Sequence, residues 1–171
     1  MNEKQTGSGL AALALAAALA APAASAAEPA PDAAPTANAI AVVEQMFAAW
    51  HERDWERAYA LFHEDGVLHS MMMEPIVGRA AIRARLEPLL AGIERIDLEV
   101  RRIGVVDGAV VVERVDDFVF RGHAGRVPVV GVLEVEDGLI KVWREYYDHA
   151  QLRAAMGVAA AEDHSTPPGA Q

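Results

Sequence analysis

The sequence predicts an α+β fold in which a curled sheet wraps against N-terminal helices. Apolar residues recur at helical spacing between residues 38 and 91, and strand-like alternation begins near residue 95. Two Asp-Gly pairs, at residues 107–108 and 137–138, then mark tight hairpin turns between long strands. Helices followed by a meander of strands are typical of a sheet packed on one layer of helices.

Three helices are predicted in the first half of the domain. The first covers residues 38–52 and has one apolar face, formed by Ile40, Val43, Met46, Phe47 and Trp50. The second begins after Asp54, which is suited to an N-cap, and runs to about Phe62. The third covers residues 79–91, where Pro88 ends or bends the helix.

The remaining elements are strands, loops and a closing helix. Asp65-Gly66 predicts a turn ahead of a strand over residues 67–73, and a Pro-Ile-Val-Gly connection follows. We then expect strands over 95–106, 109–120, 127–136 and 139–148, a loop over 121–126 and a short helix over 149–156.

The two ends of the chain are predicted to lie outside this domain, which spans residues 38–156. Residues 1–26 fit a secretory signal, with a short alanine-rich apolar stretch ahead of the small-residue site Ala24-Ser25-Ala26. That stretch is too short for a convincing membrane span, and a retained N-terminal anchor is the alternative. Residues 27–37 predict a disordered linker and residues 157–171 a disordered tail. We therefore expect an exported protein, periplasmic or secreted, without stable membrane insertion after cleavage.

Composition argues against several classes of function. The net charge is −10 and no basic stripe is present, which argues against nucleic-acid partners. The chain has no cysteine, so disulfides and thiolate chemistry are excluded. The six histidines lack metal-site spacing, and neither a glycine-rich phosphate loop nor a Gly-x-Ser-x-Gly motif occurs. We expect no metal and no cofactor.

Two charged residues lie on an otherwise apolar strand face. In VVVERVDDFVF, residues 110–120, alternation places Arg114 and Asp116 on the same face as four valine and phenylalanine side chains. Burying such a pair is costly unless each charge has a partner. Glu145, in the strand LIKVWREYYD, can supply a second carboxylate to Arg114, although alternation in that strand leaves its side open. A buried ion pair with a purely structural role is the alternative.

Other residues suit the wall of a pocket. Met71, Met72, Met73 and Trp143 are compatible with an adaptable apolar surface, although such residues more often fill a core. His69 and Ser70 are adjacent on a strand and point to opposite faces, so they do not form a nucleophilic pair.

The order of these segments resembles the limonene-1,2-epoxide hydrolase family, within the nuclear transport factor 2-like (SnoaL-like) superfamily. The resemblance covers roughly residues 38–156. It rests on EDGVLHSMMMEPIVGRAAIR at 64–83, VERVD at 112–116 and VVGVLEVEDGLIKVWREYYD at 129–148. It implies a curved mixed β-sheet that wraps against the N-terminal helices into a cone with an internal apolar pocket.

The resemblance also implies a reaction. In that family an aspartate–arginine–aspartate set opens an epoxide in one step, without a covalent intermediate. Carried over, Asp116 is the acid that protonates the epoxide oxygen, Arg114 the bridge, and Glu145 the base that takes a proton from water. Glutamate stands here where the family has aspartate, and the family's water-holding tyrosine and asparagine fall on Leu68 and Ser70.

The expected function is therefore an exported, cofactor-independent epoxide hydrolase that converts a small apolar epoxide to a vicinal diol. Met72 and Trp143 are expected to contact the substrate, beside Leu68 and Ser70. A non-catalytic module that binds an apolar ligand is one alternative. Proton transfer of the ketosteroid isomerase or polyketide cyclase kind is another. The superfamily resemblance also implies a homodimer formed through the outer face of the sheet.

Overall fold

The computed structural model describes residues 33–158, with side chains described from residue 36. The predicted signal over 1–26, the first part of the linker and most of the tail lie outside the described residues. The elements are α1 (Ala33–Glu52), α2 (Trp55–Ala60), β1 (Phe62–Ser70), β2 (Ile76–Val77), α3 (Arg79–Leu90), β3 (Ile93–Val106), β4 (Ala109–Phe120), β5 (His123–Glu136), β6 (Leu139–Tyr146) and α4 (His149–Ala155). Helix α1 begins inside the segment predicted as a linker.

One six-stranded mixed sheet, in the order β2-β1-β6-β5-β4-β3, organises the fold. Strands β1 and β6 are parallel, and every other neighbouring pair is antiparallel. The curled sheet packs its concave face on the helices, so the predicted α+β class and wrapped sheet are confirmed. In the described range, no helix combines the length and apolar character needed to cross a membrane.

The hairpin turns follow from their sequences. Asp107 and Gly108 have φ values of 49° and 81°, and Asp137 and Gly138 have 50° and 76°. This left-handed pair of residues matches the twist of the flanking strands, which is why Asp-Gly predicts such hairpins.

Two segments predicted as a turn and a loop are mostly strand. Asp65-Gly66 lies inside β1, where the pairing with β6 shifts register between Phe62 and Val67, so this pair forms an irregularity in a strand rather than a turn. Only Arg121 and Gly122 turn between β4 and β5, and His123 already pairs with Phe120. The expected loop over 121–126 is therefore mostly strand.

The connection ahead of α3 also differs from the prediction. The Pro-Ile-Val-Gly connection contains β2, a two-residue strand paired with β1. Pro88 lies within α3, which ends two residues later at Leu90.

The core lies between the concave face and α1. Val43 and Met46 of α1 are fully buried, as are Val112 of β4 and Leu133 of β5. Each large apolar side chain buried in this way contributes about 1.5–3 kcal/mol relative to exposure. The helix is thereby fixed against the sheet, and Trp50, near its C-terminal end, lines the cavity described next.

Candidate active site

The concave face of the sheet encloses a cavity of about 150 Å³, bounded also by α1, α3 and α4. Its wall is mainly apolar and includes Leu86, Leu89, Ile96, Leu98, Phe118 and Val129. Leu152 and Met156, at the C-terminal end of the described chain, cover part of it. An apolar cavity with a few convergent polar groups is the usual form of a small-molecule site.

Strand β4 carries two of the charged residues of the cavity, as the alternation predicted. Val110, Val112, Phe118 and Phe120 are buried on its inner face, and Arg114 between them is only 2% exposed. Asp116 lies on the same face and also lines the cavity.

Glu145 completes a charged row, which we define as Arg114, Asp116 and Glu145. Arg114 donates from Nε to Oδ1 of Asp116 at 2.7 Å and from Nη2 to Oδ2 at 3.2 Å. The same Nη2 donates to Oε2 of Glu145 at 2.7 Å. The glutamate is 8% exposed and lines the cavity, so β6 turns it inward and the question left open by the sequence is answered.

Gly131 allows this row to form across β5, which lies between β4 and β6. Gly131 pairs with Val112 on one side and Glu145 on the other. A Cβ atom at this position would lie 2.9 Å from Nη1 of Arg114 and 3.3 Å from Oε1 of Glu145. Glycine therefore leaves the space through which the guanidinium reaches the glutamate.

Aromatic rings surround the arginine. The guanidinium carbon of Arg114 lies 5.4 Å from the ring centre of Phe47 and 5.8 Å from that of Trp143. Both distances are within the range of cation–π attraction. Trp143 also donates from Nε1 to Oε1 of Glu145. The indole N–H can only donate, so this contact favours a charged carboxylate at Glu145.

Burial and the arginine act in opposite directions on the carboxyls. Burial raises the pKa of Asp116 above its ordinary 3.8, although Arg114 opposes the shift. Burial likewise raises the pKa of Glu145 above 4.5, against Arg114 and Trp143, and the charge of Asp116 adds to the rise. Burial alone would lower the pKa of Arg114, but the two carboxylates raise it overall. The arginine stays charged, and burial favours the neutral form of each carboxyl.

The structure brings together most of the sequence-predicted residues. Leu68, Ser70 and Trp143 line the cavity with the charged row. Met72 does not, and its expected place in the pocket is wrong. It is 93% exposed, because β1 ends at Ser70 and the chain turns away, with Met72 at a φ of 72°.

Two residues of the site were not singled out from the sequence. Tyr147 lines the cavity and donates from its hydroxyl to Oγ of Ser70 at 3.1 Å. Strand alternation places it on the face of Trp143 and Glu145, which was the available signal. Gly131 gave no local signal, because its role depends on the register of three strands. No group of three or more His, Asp or Glu side chains within 33–158 is arranged to hold a metal ion.

Comparison with known families agrees with this fold. The family model for the SnoaL-like domain matches residues 43–143, more than half of the chain. The chain belongs to the SnoaL-like domain family. The predicted membership of the nuclear transport factor 2-like superfamily is thereby confirmed.

Individual relatives include epoxide hydrolases. The chain is 30% identical over 106 residues to epoxide hydrolase EphG of Mycobacterium tuberculosis (strain ATCC 25618 / H37Rv), covering 62% of this chain and 70% of that protein. The solved structure of an LEH-like epoxide hydrolase from M. tuberculosis matches with a TM-score of 0.63 at 27% identity, over 71% of this chain and 90% of the other. A candidate polyketide cyclase from Xanthomonas campestris matches with a TM-score of 0.62 at 22% identity, over 71% and 98% of the chains, which shows a shared fold.

Proposed function

We propose that this protein hydrolyses a small apolar epoxide to a vicinal diol in one step, without a covalent enzyme intermediate. One observation carries the proposal: Arg114 is hydrogen-bonded to Asp116 and to Glu145 at the wall of an apolar cavity. Two carboxyls joined by one fixed cation can act as an acid and a base in the same step. Epoxide hydrolases among the relatives support this choice of substrate class.

The charged row supplies and accepts the protons that the proposed step requires. The oxygen of a water molecule forms a bond to one epoxide carbon while the bond from that carbon to the ring oxygen breaks. Glu145 accepts a proton from the water as it attacks, and Asp116 donates a proton to the departing ring oxygen. The product is a vicinal diol. The proton held by Glu145 then returns to Asp116, so both carboxyls regain their starting states.

The roles of the two carboxyls follow from their donors. Glu145 accepts from Arg114 and from the indole N–H of Trp143, two donors that both favour a charged base. Burial raises the pKa of both carboxyls, which favours a neutral acid at one of them. Asp116 lacks the indole donor that Glu145 has, and we assign it the role of the acid. The extra methylene of Glu145, compared with aspartate, is accommodated because its two oxygens reach both donors.

An epoxide panel tests the proposal. Purified protein is incubated with limonene-1,2-epoxide, styrene oxide and a linear aliphatic epoxide, and diol is measured by gas chromatography. We expect diol from at least one of these, and its loss in Asp116→Asn and Glu145→Gln. Absence of diol from all of them would refute the proposal, and full activity in both variants would refute the assigned residues.

Proton transfer next to a carbonyl is the second candidate. It needs one buried carboxylate base with a raised pKa, which Glu145 provides, and no attacking water. Exchange of carbon-bound hydrogen for deuterium in a cyclic ketone, with no diol from any epoxide, would favour it. A bound apolar molecule that co-purifies, with neither reaction detected, would instead favour a binding module.

Export is proposed from the sequence of residues 1–26 alone. Expression of the full chain in a bacterial host and mass spectrometry of the periplasmic fraction test it. A mature N-terminus at Ala27 is the expected result, and an intact N-terminus confined to the cytoplasm would contradict it.

A further inference from the structure

Two hydroxyl groups lie in the cavity beside the charged row. Ser70 and Tyr147 are the hydroxyl-bearing side chains among the lining residues that the structure describes. Ser70 is the direct partner of Glu145 on the neighbouring parallel strand, since β1 and β6 pair these two positions. Tyr147 follows Glu145 by two residues and faces the same cavity. Both hydroxyls therefore adjoin the proposed base.

The tyrosine is held in place by two contacts. Its hydroxyl donates to Oγ of Ser70 at 3.1 Å, and its ring centre lies 4.6 Å from that of His149. The ring nitrogen Nε2 of His149 in turn lies 2.8 Å from the carbonyl oxygen of Met71, which fixes the histidine on the turn after β1. Burial raises the pKa of Tyr147, and the charge of Glu145 adds to the rise. The hydroxyl therefore stays protonated near neutral pH.

Ser70 and Tyr147 together offer the hydrogen-bond donor and acceptor needed to hold one water molecule. Because Tyr147 donates to Ser70, the Ser70 hydroxyl hydrogen is free to donate elsewhere, and the Tyr147 oxygen keeps a lone pair that can accept. Water offers two hydrogens and two lone pairs. One hydrogen can go to Glu145 and the other to Tyr147, while one lone pair accepts from Ser70. The second lone pair is then directed to the cavity.

We propose that Tyr147, together with Ser70, positions the water that attacks the epoxide. This inference rests on the proposed hydrolysis and deepens it. Leu68 stands where the resemblance implies a water-holding tyrosine, and it has no polar group to hold water. In this chain the phenol comes instead from the end of β6. In this proposal Tyr147 acts on the water through its hydroxyl, in addition to lining the cavity.

Kinetics of Tyr147→Phe on the epoxide that the wild type hydrolyses fastest provide the test. We expect kcat to fall roughly 10- to 100-fold with KM nearly unchanged, because the substrate contacts remain while the water loses its position. Ser70→Ala should act in the same direction, and Ser70→Thr, which keeps a hydroxyl, should restore much of the rate. The double variant should be little slower than the slower single variant, since both remove the same water.

Tyr146→Phe is the matched control, because Tyr146 is 44% exposed and is not among the cavity-lining residues. Its kcat should equal that of the wild type. If Tyr147→Phe lowers only the free energy of unfolding and leaves kcat intact, the tyrosine is structural and the inference is wrong, although the hydrolase proposal stands. If the wild type hydrolyses no epoxide, the hydrolase proposal and this inference are both wrong.

Discussion

Asp116 and Asp117 are neighbours on β4, and they lie on opposite faces of the sheet in different environments. Their side chains expose almost the same fraction of surface, 18% and 17%. Asp116 exposes that surface to an apolar cavity, and burial raises its pKa. Asp117 faces the outer side of the sheet, where hydrogen bonds from Arg95 and Arg126 lower its pKa. The exposed fraction alone does not determine the state of a carboxyl; the surrounding medium does.

The same contrast holds for the two faces of the sheet. Outside, arginines and carboxylates form pairs that water screens, such as Arg126 with Glu99 at 2.8 Å. Such pairs contribute little to stability. Inside, one arginine serves two carboxyls with little access to water, where each charge depends on the others. Removing one member of the inner set therefore leaves a buried charge without its partner, whereas an outer charge that loses its partner stays solvated.

The largest effect is expected on activity. Asp116→Asn and Glu145→Gln should each lower epoxide hydrolysis by about 10²–10⁴-fold, because each removes a proton-transfer group. Asp117→Asn, one residue away on the outer face, should leave kcat unchanged. Initial rates of diol formation for the three variants measure the difference. An equal loss in Asp117→Asn would mean that the effect comes from strand β4 as a whole.

The next largest difference between the two faces of the sheet is expected in the free energy of unfolding. Arg114→Met leaves two buried carboxyls without their cation and should lower the free energy of unfolding by about 3–5 kcal/mol at neutral pH. Arg126→Met on the outer face should have a far smaller effect, since that guanidinium is solvated. Urea denaturation of both variants measures this. Because the buried carboxyls become neutral in acid, the loss in Arg114→Met should shrink as the pH is lowered toward 4. Equal losses for the two variants would contradict the account.

A smaller effect on stability is expected at Gly131, which lies on β5 between β4 and β6. In Gly131→Ala the added methyl would lie 2.9 Å from Nη1 of Arg114 and 3.1 Å from Cγ1 of Val112, so the guanidinium must move. We expect a loss of about 1–3 kcal/mol in the free energy of unfolding, with reduced hydrolysis. Gly104→Ala is the control, because an added Cβ there meets open space. Unchanged hydrolysis in Gly131→Ala would show that the row tolerates displacement.

The smallest effect concerns the pH dependence of the two neighbouring aspartates. The folded-state pKa of Asp116 is raised, so above its ordinary 3.8 the folded protein binds more protons than the unfolded chain. Asp116 therefore makes the free energy of unfolding fall as the pH rises through that window. Asp117 has the opposite sign: its lowered pKa contributes stability that is lost as the pH falls below 3.8. Carboxyl ¹³C NMR titration should place the two midpoints on opposite sides of 3.8. Coincident midpoints would contradict the comparison.

Local sequence was enough to place two of the three residues of the charged row. Period-two alternation on β4 assigned Arg114 and Asp116 to an apolar face because the other residues of that face are valine and phenylalanine. Alternation on β6 did not assign Glu145, because both faces of that strand mix apolar and charged residues. Its inward direction comes from pairing with β1 on one side and β5 on the other.

The errors in the prediction have the same origin. Asp65-Gly66 has the same two residue types as the hairpin turns at 107–108 and 137–138. It nevertheless lies within a strand, because β1 pairs in parallel with a strand more than 70 residues away. The residue type of Met72 suits a pocket, but the end of β1 at Ser70 directs it to solvent. Both outcomes depend on contacts distant in sequence, which no short window contains.

A single-turnover reaction in H₂¹⁸O tests the central claim most directly. With enzyme in excess over the epoxide, attack of water on carbon in one step places one ¹⁸O atom in the diol from the first turnover. The charged row predicts this labelled diol from the wild type and its loss in Glu145→Gln. An unlabelled first-turnover diol would mean that a carboxylate of the protein attacks the carbon, and would contradict the assignment of Glu145 as a general base.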